Sequence, residues 1–279
     1  MKRSFKNLYI ISILFAVISA LAAVIRIAAL SVSYDSLIGY YKTGAALPLS
    51  FHLISAAVPF AAMLTMLFLP KKSELQYQKP KTGSAYVCAG SVFSIVTVCA
   101  YLGYISLGIL GDRKIYTSNA AGAGEVVEKI ALFLGIVSVI YFLLVFLRKT
   151  EKGENHTFFG FGVILFVLMV LAKTYFDFFT TMNSPNKLLL QITFMSVMVY
   201  MLFELRFSLG NAAPRGYAAA ALTSFYFCLV CSVPGIAAFF SGIFTKNEYF
   251  VCHFLCLGFG VYIGARFISF ILSQKALNT

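Results

Sequence analysis

Charged residues are scarce in this sequence, and tryptophan is absent altogether. Only 11% of the 279 residues are Asp, Glu, Lys or Arg, whereas about 25% is typical of a soluble globular domain. So few charges cannot cover the surface of a soluble protein of this size, and the composition therefore excludes an ordinary soluble fold. The 16 tyrosines are left to supply the aromatic belt at the membrane interface that tryptophan normally shares.

Long polar segments are also missing, so the chain has no room for a soluble catalytic or sensory domain. Hydrophobic residues make up 60% of the sequence, and a transmembrane helix needs about 20 of them in a row. Eight runs qualify, at about residues 7–30, 48–69, 86–110, 129–148, 157–178, 186–207, 216–240 and 249–272. We therefore predict an all-α, polytopic integral membrane bundle of eight helices that forms a single transmembrane domain over residues 1–279.

Acidic residues are few compared with basic ones. The 10 Asp and Glu face 22 Lys and Arg, which gives a net charge of +12. In a nucleic-acid-binding domain such cations would cluster on one face, but here they lie mainly between apolar runs. The strongly cationic segments are the N-terminus, the loops after spans two, four and six, and the C-terminal tail. Because cationic loops stay in the cytoplasm, this pattern predicts eight spans with both termini cytoplasmic and no nucleic-acid partner.

The two halves of the chain, residues 1–150 and 151–279, align in parallel at low identity. Span one matches span five with Arg26 against Lys173, and span two matches span six with His52 against Gln191. An even number of spans per half requires parallel repeats about an axis along the membrane normal, as in some transporter folds. A 4+4 parallel repeat is one interpretation, and chance resemblance between apolar helices is the other.

The hairpin of spans five and six contains the turn SPNK at 184–187 and ends in ELRF at 204–207. These stretches resemble parts of uncharacterised eight-helix membrane proteins of Clostridium-like bacteria. The resemblance implies a multi-pass protein of the bacterial plasma membrane. It carries no known activity and no known site residue.

Several polar side chains are predicted near the outer ends of their spans. Arg26, Lys173 and Asp177 lie there, and Lys173 and Asp177 share one helix face because they are spaced i,i+4. His52 and His253 are expected at the same level. Together these residues predict an outward-facing polar cavity that binds a carboxylate, a phosphate or a lipid headgroup. The alternative is that the long side chains extend separately to the headgroups of the bilayer.

Two further sets of residues indicate structural or gating roles. Glu204, at the cytoplasmic end of span six, is predicted to pair with Arg266 in span eight, either as a structural ion pair or as a cytoplasmic gate. Pro59 and Pro234 interrupt spans two and seven in mid-membrane. The carbonyl groups that a proline leaves free are satisfied by neighbouring helices or line a cavity.

All six cysteines fall inside predicted spans: Cys88, Cys99, Cys228, Cys231, Cys252 and Cys256. Cys228 and Cys231 form a C-x-x-C pattern, and Cys252, His253 and Cys256 lie close together along span eight. A thiolate site for a metal or a redox-active dithiol is one interpretation. Cysteine is also a common small apolar residue in buried positions, so we interpret the cysteines as structural and predict no metal and no cofactor.

These observations favour a non-enzymatic membrane protein that binds or transports a small ligand or a lipid through the outward-facing cavity. The alternative is a non-catalytic subunit or sensor that packs against another membrane protein, for which Gly260-x-x-x-Gly264 would provide a close-packing face. An intramembrane redox or metal enzyme is the third interpretation. The expected partners are membrane lipids together with a small anionic ligand or another membrane protein.

Overall fold

A computed structural model describes residues 2–65, 67, 84–110, 121–147, 154–176, 184–209 and 213–276. These residues form eight α-helices: α1 (Lys2–Ser33), α2 (Ala46–Thr65), α3 (Ala85–Leu110), α4 (Ala121–Phe146), α5 (Glu154–Phe176), α6 (Pro185–Ser208), α7 (Pro214–Phe240) and α8 (Asn247–Ala276). Each helix contains a segment of 19–27 residues, with mean hydropathy between 1.7 and 2.7, that is long and apolar enough to cross a membrane. The predicted all-α polytopic membrane bundle with eight spans is confirmed.

A short β-hairpin, which the sequence did not predict, joins α1 to α2. Its strands β1 (Tyr34–Asp35) and β2 (Tyr40–Tyr41) pair in antiparallel orientation. The Asp35 carboxylate accepts hydrogen bonds from the backbone N–H groups of Leu37 and Ile38 at 2.9 and 3.3 Å. Gly39 completes the turn at φ 80°, a conformation that side chains other than glycine rarely adopt. Local turn chemistry therefore fixes the geometry of this connection.

The start of α6 follows the signals in the sequence. Pro185 occupies the first helical turn, where its missing N–H costs nothing, and the Ser184 hydroxyl accepts a hydrogen bond from the backbone N–H of Lys187 at 3.3 Å.

Other helices extend beyond the predicted spans. The prediction placed the start of span four at residue 129, whereas α4 begins at Ala121. Hydropathy detects only the apolar part of a helix, while backbone hydrogen bonding continues past its edge.

Six of the helices pack in a closed order that we call the six-helix ring (α3–α8). Each packs against the next along the chain, and α8 closes the ring by packing against α3. The hairpin of α1 and α2 lies outside this ring, against α7. In the predicted repeat α5 corresponds to α1, yet α5 packs between α4 and α6. The packing order does not support a 4+4 repeat, which stays a prediction.

Helix α8 is the most enclosed span. Within its apolar segment 72% of the residues are buried in the bundle, compared with 28% for α1. Two glycines let α8 approach α7 closely: a Cβ atom at Gly260 would lie 2.9 Å from Cβ of Cys228, and one at Gly264 would lie 3.0 Å from the ring of Phe225. The close-packing face predicted for Gly260 and Gly264 is confirmed. Because α8 is so enclosed, most polar residues on it lie in the protein interior.

Candidate functional site

Arg26 lies in the half of α1 nearer Ser33, and its side chain is buried, with 1% of its surface exposed. Its Nη1 donates hydrogen bonds to the backbone oxygens of Val230 and Cys231 at 2.6 and 3.0 Å. Its Nη2 donates to Oδ1 of Asn186 at 2.7 Å. The guanidinium carbon also lies 5.9 Å from the centre of the Phe51 ring. Arg26 thus connects α1 to α2, α6 and α7.

Pro234 explains why these backbone oxygens are available. Proline has no N–H group and cannot donate to the carbonyl four residues earlier in a helix, which is Val230. Arg26 supplies the missing donor. The predicted interruption of spans two and seven is wrong, because α2 and α7 continue through Pro59 and Pro234. The carbonyl that Pro234 leaves free is nevertheless satisfied by a cation on a neighbouring helix.

A groove of about 540 Å³ lies beside Arg26, between α1, α2, α6 and α7. We call it the Arg26 groove. Apart from Arg26, His52 and a few hydroxyl groups, its walls are apolar. The lining residues are Arg26, Tyr41, Phe51, His52, Ser55, Ala56, Pro59, Pro185, Leu188, Leu189, Ile192 and Phe227.

The groove is open on the side between α2 and α6. On α6, the lining residues Leu188 and Ile192 are 43% and 45% exposed, and on α2 His52 and Ala56 are exposed. Pro185 and Ile192 are separated by about two helical turns, so the groove extends about 10 Å along α6. The opening therefore lies on the outer surface of the bundle, between α2 and α6.

Positive charge dominates the polar part of the groove. Among the residues that the structure describes, Arg26 has no carboxylate within ion-pair distance. The N-terminus of α6 begins at the lining residue Pro185 and adds the positive end of a helix dipole. The groove therefore combines a buried cation that lacks an acidic partner with apolar walls.

Lys173 lies elsewhere, inside the six-helix ring. Its Nζ is 2.9 Å from Glu128 Oε1 on α4 and 3.3 Å from Glu248 Oε1 on α8. It also lies 5.4 Å from the centre of the Tyr104 ring on α3. The prediction that Arg26 and Lys173 share one cavity is wrong, because α5 belongs to the ring and α1 packs outside it. The alternative of extension to the headgroups is also wrong for both, since their side chains are buried.

The other predicted ligand residues are divided between different surroundings. Asp177 lies outside the described residues, so its pairing with Lys173 stays a prediction. His52 lines the Arg26 groove together with Pro59. His253 does not: it is fully buried and packed over Gly235, with its ring stacked on Phe244 at 6.0 Å. Of the candidate ligand residues that the structure describes, only Arg26 and His52 line the same groove.

The predicted pair of Glu204 and Arg266 is confirmed, at 2.7 Å between Oε1 and Nε. Tyr262 donates its hydroxyl hydrogen to the same carboxylate oxygen at 2.8 Å, and the hydroxyls of Tyr262 and Tyr141 are 3.2 Å apart. All four side chains are buried inside the six-helix ring. The pair ties α6 to α8, and a gating role for it stays a prediction.

The cysteines are all free thiols, and Cys228, Cys231, Cys252 and Cys256 are buried. Sγ of Cys231 lies 3.5 Å from Nδ1 of His253. Within the described part of the chain, no group of three or more His, Cys, Asp and Glu side chains is placed to hold a metal ion.

Three residues that contact the buried cations Lys173 and Arg26 were missed from the sequence. Glu128 lies one residue before the predicted start of span four, so it was assigned to a loop. Glu248 lies one residue before the predicted start of span eight, and Asn186, the first residue of predicted span six, was considered only as part of the SPNK turn. Extending the helices by one turn beyond their apolar runs would have placed both glutamates inside helices, where a polar side chain requires a partner.

The comparisons with known proteins add no assignment. No protein-family model matches the chain, and no curated protein and no solved structure is significantly similar to it. The chain itself shows a polytopic membrane protein with eight spans.

Proposed function

We propose that this protein binds an amphiphilic anion, with a carboxylate or phosphate head and an apolar chain, in the Arg26 groove. The observation that supports the proposal is a buried arginine without an acidic partner among the described residues, at the wall of an open apolar groove. The role is that of a ligand-binding, carrier-like membrane protein. The same proposal extends to transport: the protein would carry the bound ligand across the membrane.

The charge of Arg26 supplies the affinity for an anion. Its guanidinium has five N–H donors, and hydrogen bonds to described residues use three of them. The carbonyl dipoles reduce the cost of burying the cation, yet its full positive charge remains. An oxyanion that reached the remaining donors would form charge-assisted hydrogen bonds, which are stronger than neutral ones, in a medium of low dielectric constant.

The remainder of the groove suits an apolar chain. A volume of about 540 Å³ lies within the range of about 300–1,000 Å³ that is usual for ligand sites. The exposed positions of Leu188 and Ile192 indicate that a ligand enters sideways from the membrane. When protonated, His52 would add a second positive charge to the groove.

Because the chain contains no tryptophan, a single introduced tryptophan reports on the groove by fluorescence. We expect Ile192→Trp to be quenched saturably by a nitroxide-labelled fatty acid, and unlabelled fatty acid should reverse the quenching. The matched control is Leu168→Trp on α5, which is 39% exposed and lies about two turns from the same end of the bundle. Equal and non-saturating quenching of both variants would show that the probe only dissolves in the surrounding lipid, and the proposal would fail.

A further inference from the structure

Asn186 carries a second buried polar group beside Arg26. It lies in the first turn of α6 and is 3% exposed. An arginine can only donate hydrogen bonds, so the contact at 2.7 Å from Arg26 Nη2 fixes the amide with Oδ1 towards the guanidinium. The amide nitrogen Nδ2 is left with no hydrogen-bond partner among the described residues.

A buried donor without a partner is unusual and requires an explanation, because its lost hydration is not replaced. A single amide carbon joins Nδ2 to Oδ1, so the free donor lies beside the guanidinium of Arg26. Pro185 and Leu189, which lie next to Asn186 and one turn after it on α6, both line the Arg26 groove. Asn186 itself is not among the residues that line the groove, but it is hydrogen-bonded to Arg26, which is.

We propose that Asn186 determines the head-group specificity of the Arg26 groove. Nδ2 of Asn186 and the remaining N–H groups of Arg26 form a set of donors, which suits a head made only of acceptors. The ligand class is an amphiphile that ends in a carboxylate or a phosphate monoester. A head that carries an ammonium group is disfavoured, because its N–H donors would face the N–H donors of Arg26 and Asn186. It would also place a second cation beside Arg26. This inference rests on the proposed function.

The variant Asn186→Asp tests the inference with a change of one atom. It keeps the oxygen that accepts from Arg26 and replaces the free donor by a negatively charged acceptor. The aspartate would neutralise Arg26, so the melting temperature should stay the same or rise. Binding of the nitroxide-labelled fatty acid, read from Ile192→Trp in the same chain, should weaken by about tenfold or more because like charges oppose each other.

Two outcomes would overturn the inference while leaving the proposed function intact. One is a folded Asn186→Asp variant that binds the fatty acid as tightly as the parent chain. The other needs no variant of Asn186: a nitroxide probe whose head carries both a phosphate and an ammonium group would exclude a donor-only site if it bound saturably and as tightly as the fatty acid. A parallel probe with a phosphate monoester head shows whether the groove prefers a phosphate or a carboxylate. Absence of saturable binding of every probe to the parent chain would instead contradict the proposed function itself.

Discussion

Arg26 holds its guanidinium against the carbonyl that Pro234 leaves free in α7. At the residue scale, the buried cations Lys173, Arg266 and Arg26 are compensated in different ways. Lys173 has two glutamates, Arg266 has Glu204, and Arg26 has backbone oxygens and one amide. A charged residue at the centre of a membrane helix costs about 2.5–3.5 kcal/mol on insertion scales. Arg26 combines such burial with a position at an open groove, and the proposed ligand site rests on this combination.

The link between Arg26 and Pro234 predicts a measurable coupling. Arg26→Met leaves the carbonyl of Val230 without its donor, which should lower the free energy of unfolding by about 1–3 kcal/mol. In the background of Pro234→Ala, the new N–H at position 234 can bond to that carbonyl, so the same substitution should cost less. A double-mutant cycle, measured by unfolding in detergent, gives the coupling energy. Equal losses in both backgrounds would show that Arg26 does not compensate for the proline.

At the scale of whole elements, α7 and α8 are held in close contact by glycine. Gly260 faces Cys228 and Gly264 faces Phe225 at distances that leave no room for a larger side chain. Helices in a membrane gain little from apolar burial against one another, because lipid tails are equally apolar, so close packing of small residues becomes important. The glycine face of α8 is thus satisfied within the chain and is not left for a partner protein.

This packing predicts opposite effects for two similar substitutions. Gly260→Ala places a Cβ atom 2.9 Å from that of Cys228, and the forced separation of α7 from α8 should cost about 1–3 kcal/mol of stability. Gly103→Ala on α3 is the matched control, because a Cβ atom there meets nothing within 4 Å. It should instead stabilise its helix by up to about 1 kcal/mol. Thermal unfolding of both variants in detergent tests this, and stabilisation by Gly260→Ala would contradict the assigned contact.

At the scale of the whole molecule, the six-helix ring encloses the ionic clusters around Lys173 and Arg266, while the α1–α2 hairpin forms one side of the Arg26 groove. The hairpin and the ring meet mainly along α7. A ligand could therefore enter and leave the groove without opening the ring.

The orientation of the bundle follows from its cationic loops and is open to direct measurement. We expect both termini in the cytoplasm of a bacterial cell, since this arrangement places the strongly cationic segments on the inner side. A reporter fused after Lys79 should then be cytoplasmic, and one fused after Asn119 should be external. Reporters found on the same side would show that span three does not cross the membrane and would contradict the predicted topology.

The number of spans, the capped start of α6 and the pair of Glu204 with Arg266 could be predicted from the sequence. Apolar length, a capping serine followed by proline, and the need of a buried charge for a partner are properties of short segments, so they can be recognised without knowing which helices are neighbours. The β-hairpin and the polar ends of α4 and α8 were missed because they lie outside the apolar runs.

Only the tertiary structure decided which helices meet. Arg26 and Lys173 have the same kind of position in their spans, yet one contacts the carbonyls of α7 and the other contacts Glu128 and Glu248. Hydropathy cannot distinguish these outcomes, because an apolar helix is equally compatible with lipid and with any other apolar helix. The sequence by itself determined that the chain crosses the membrane eight times, and close packing with hydrogen bonding in the folded bundle decided that Arg26 lies at the groove.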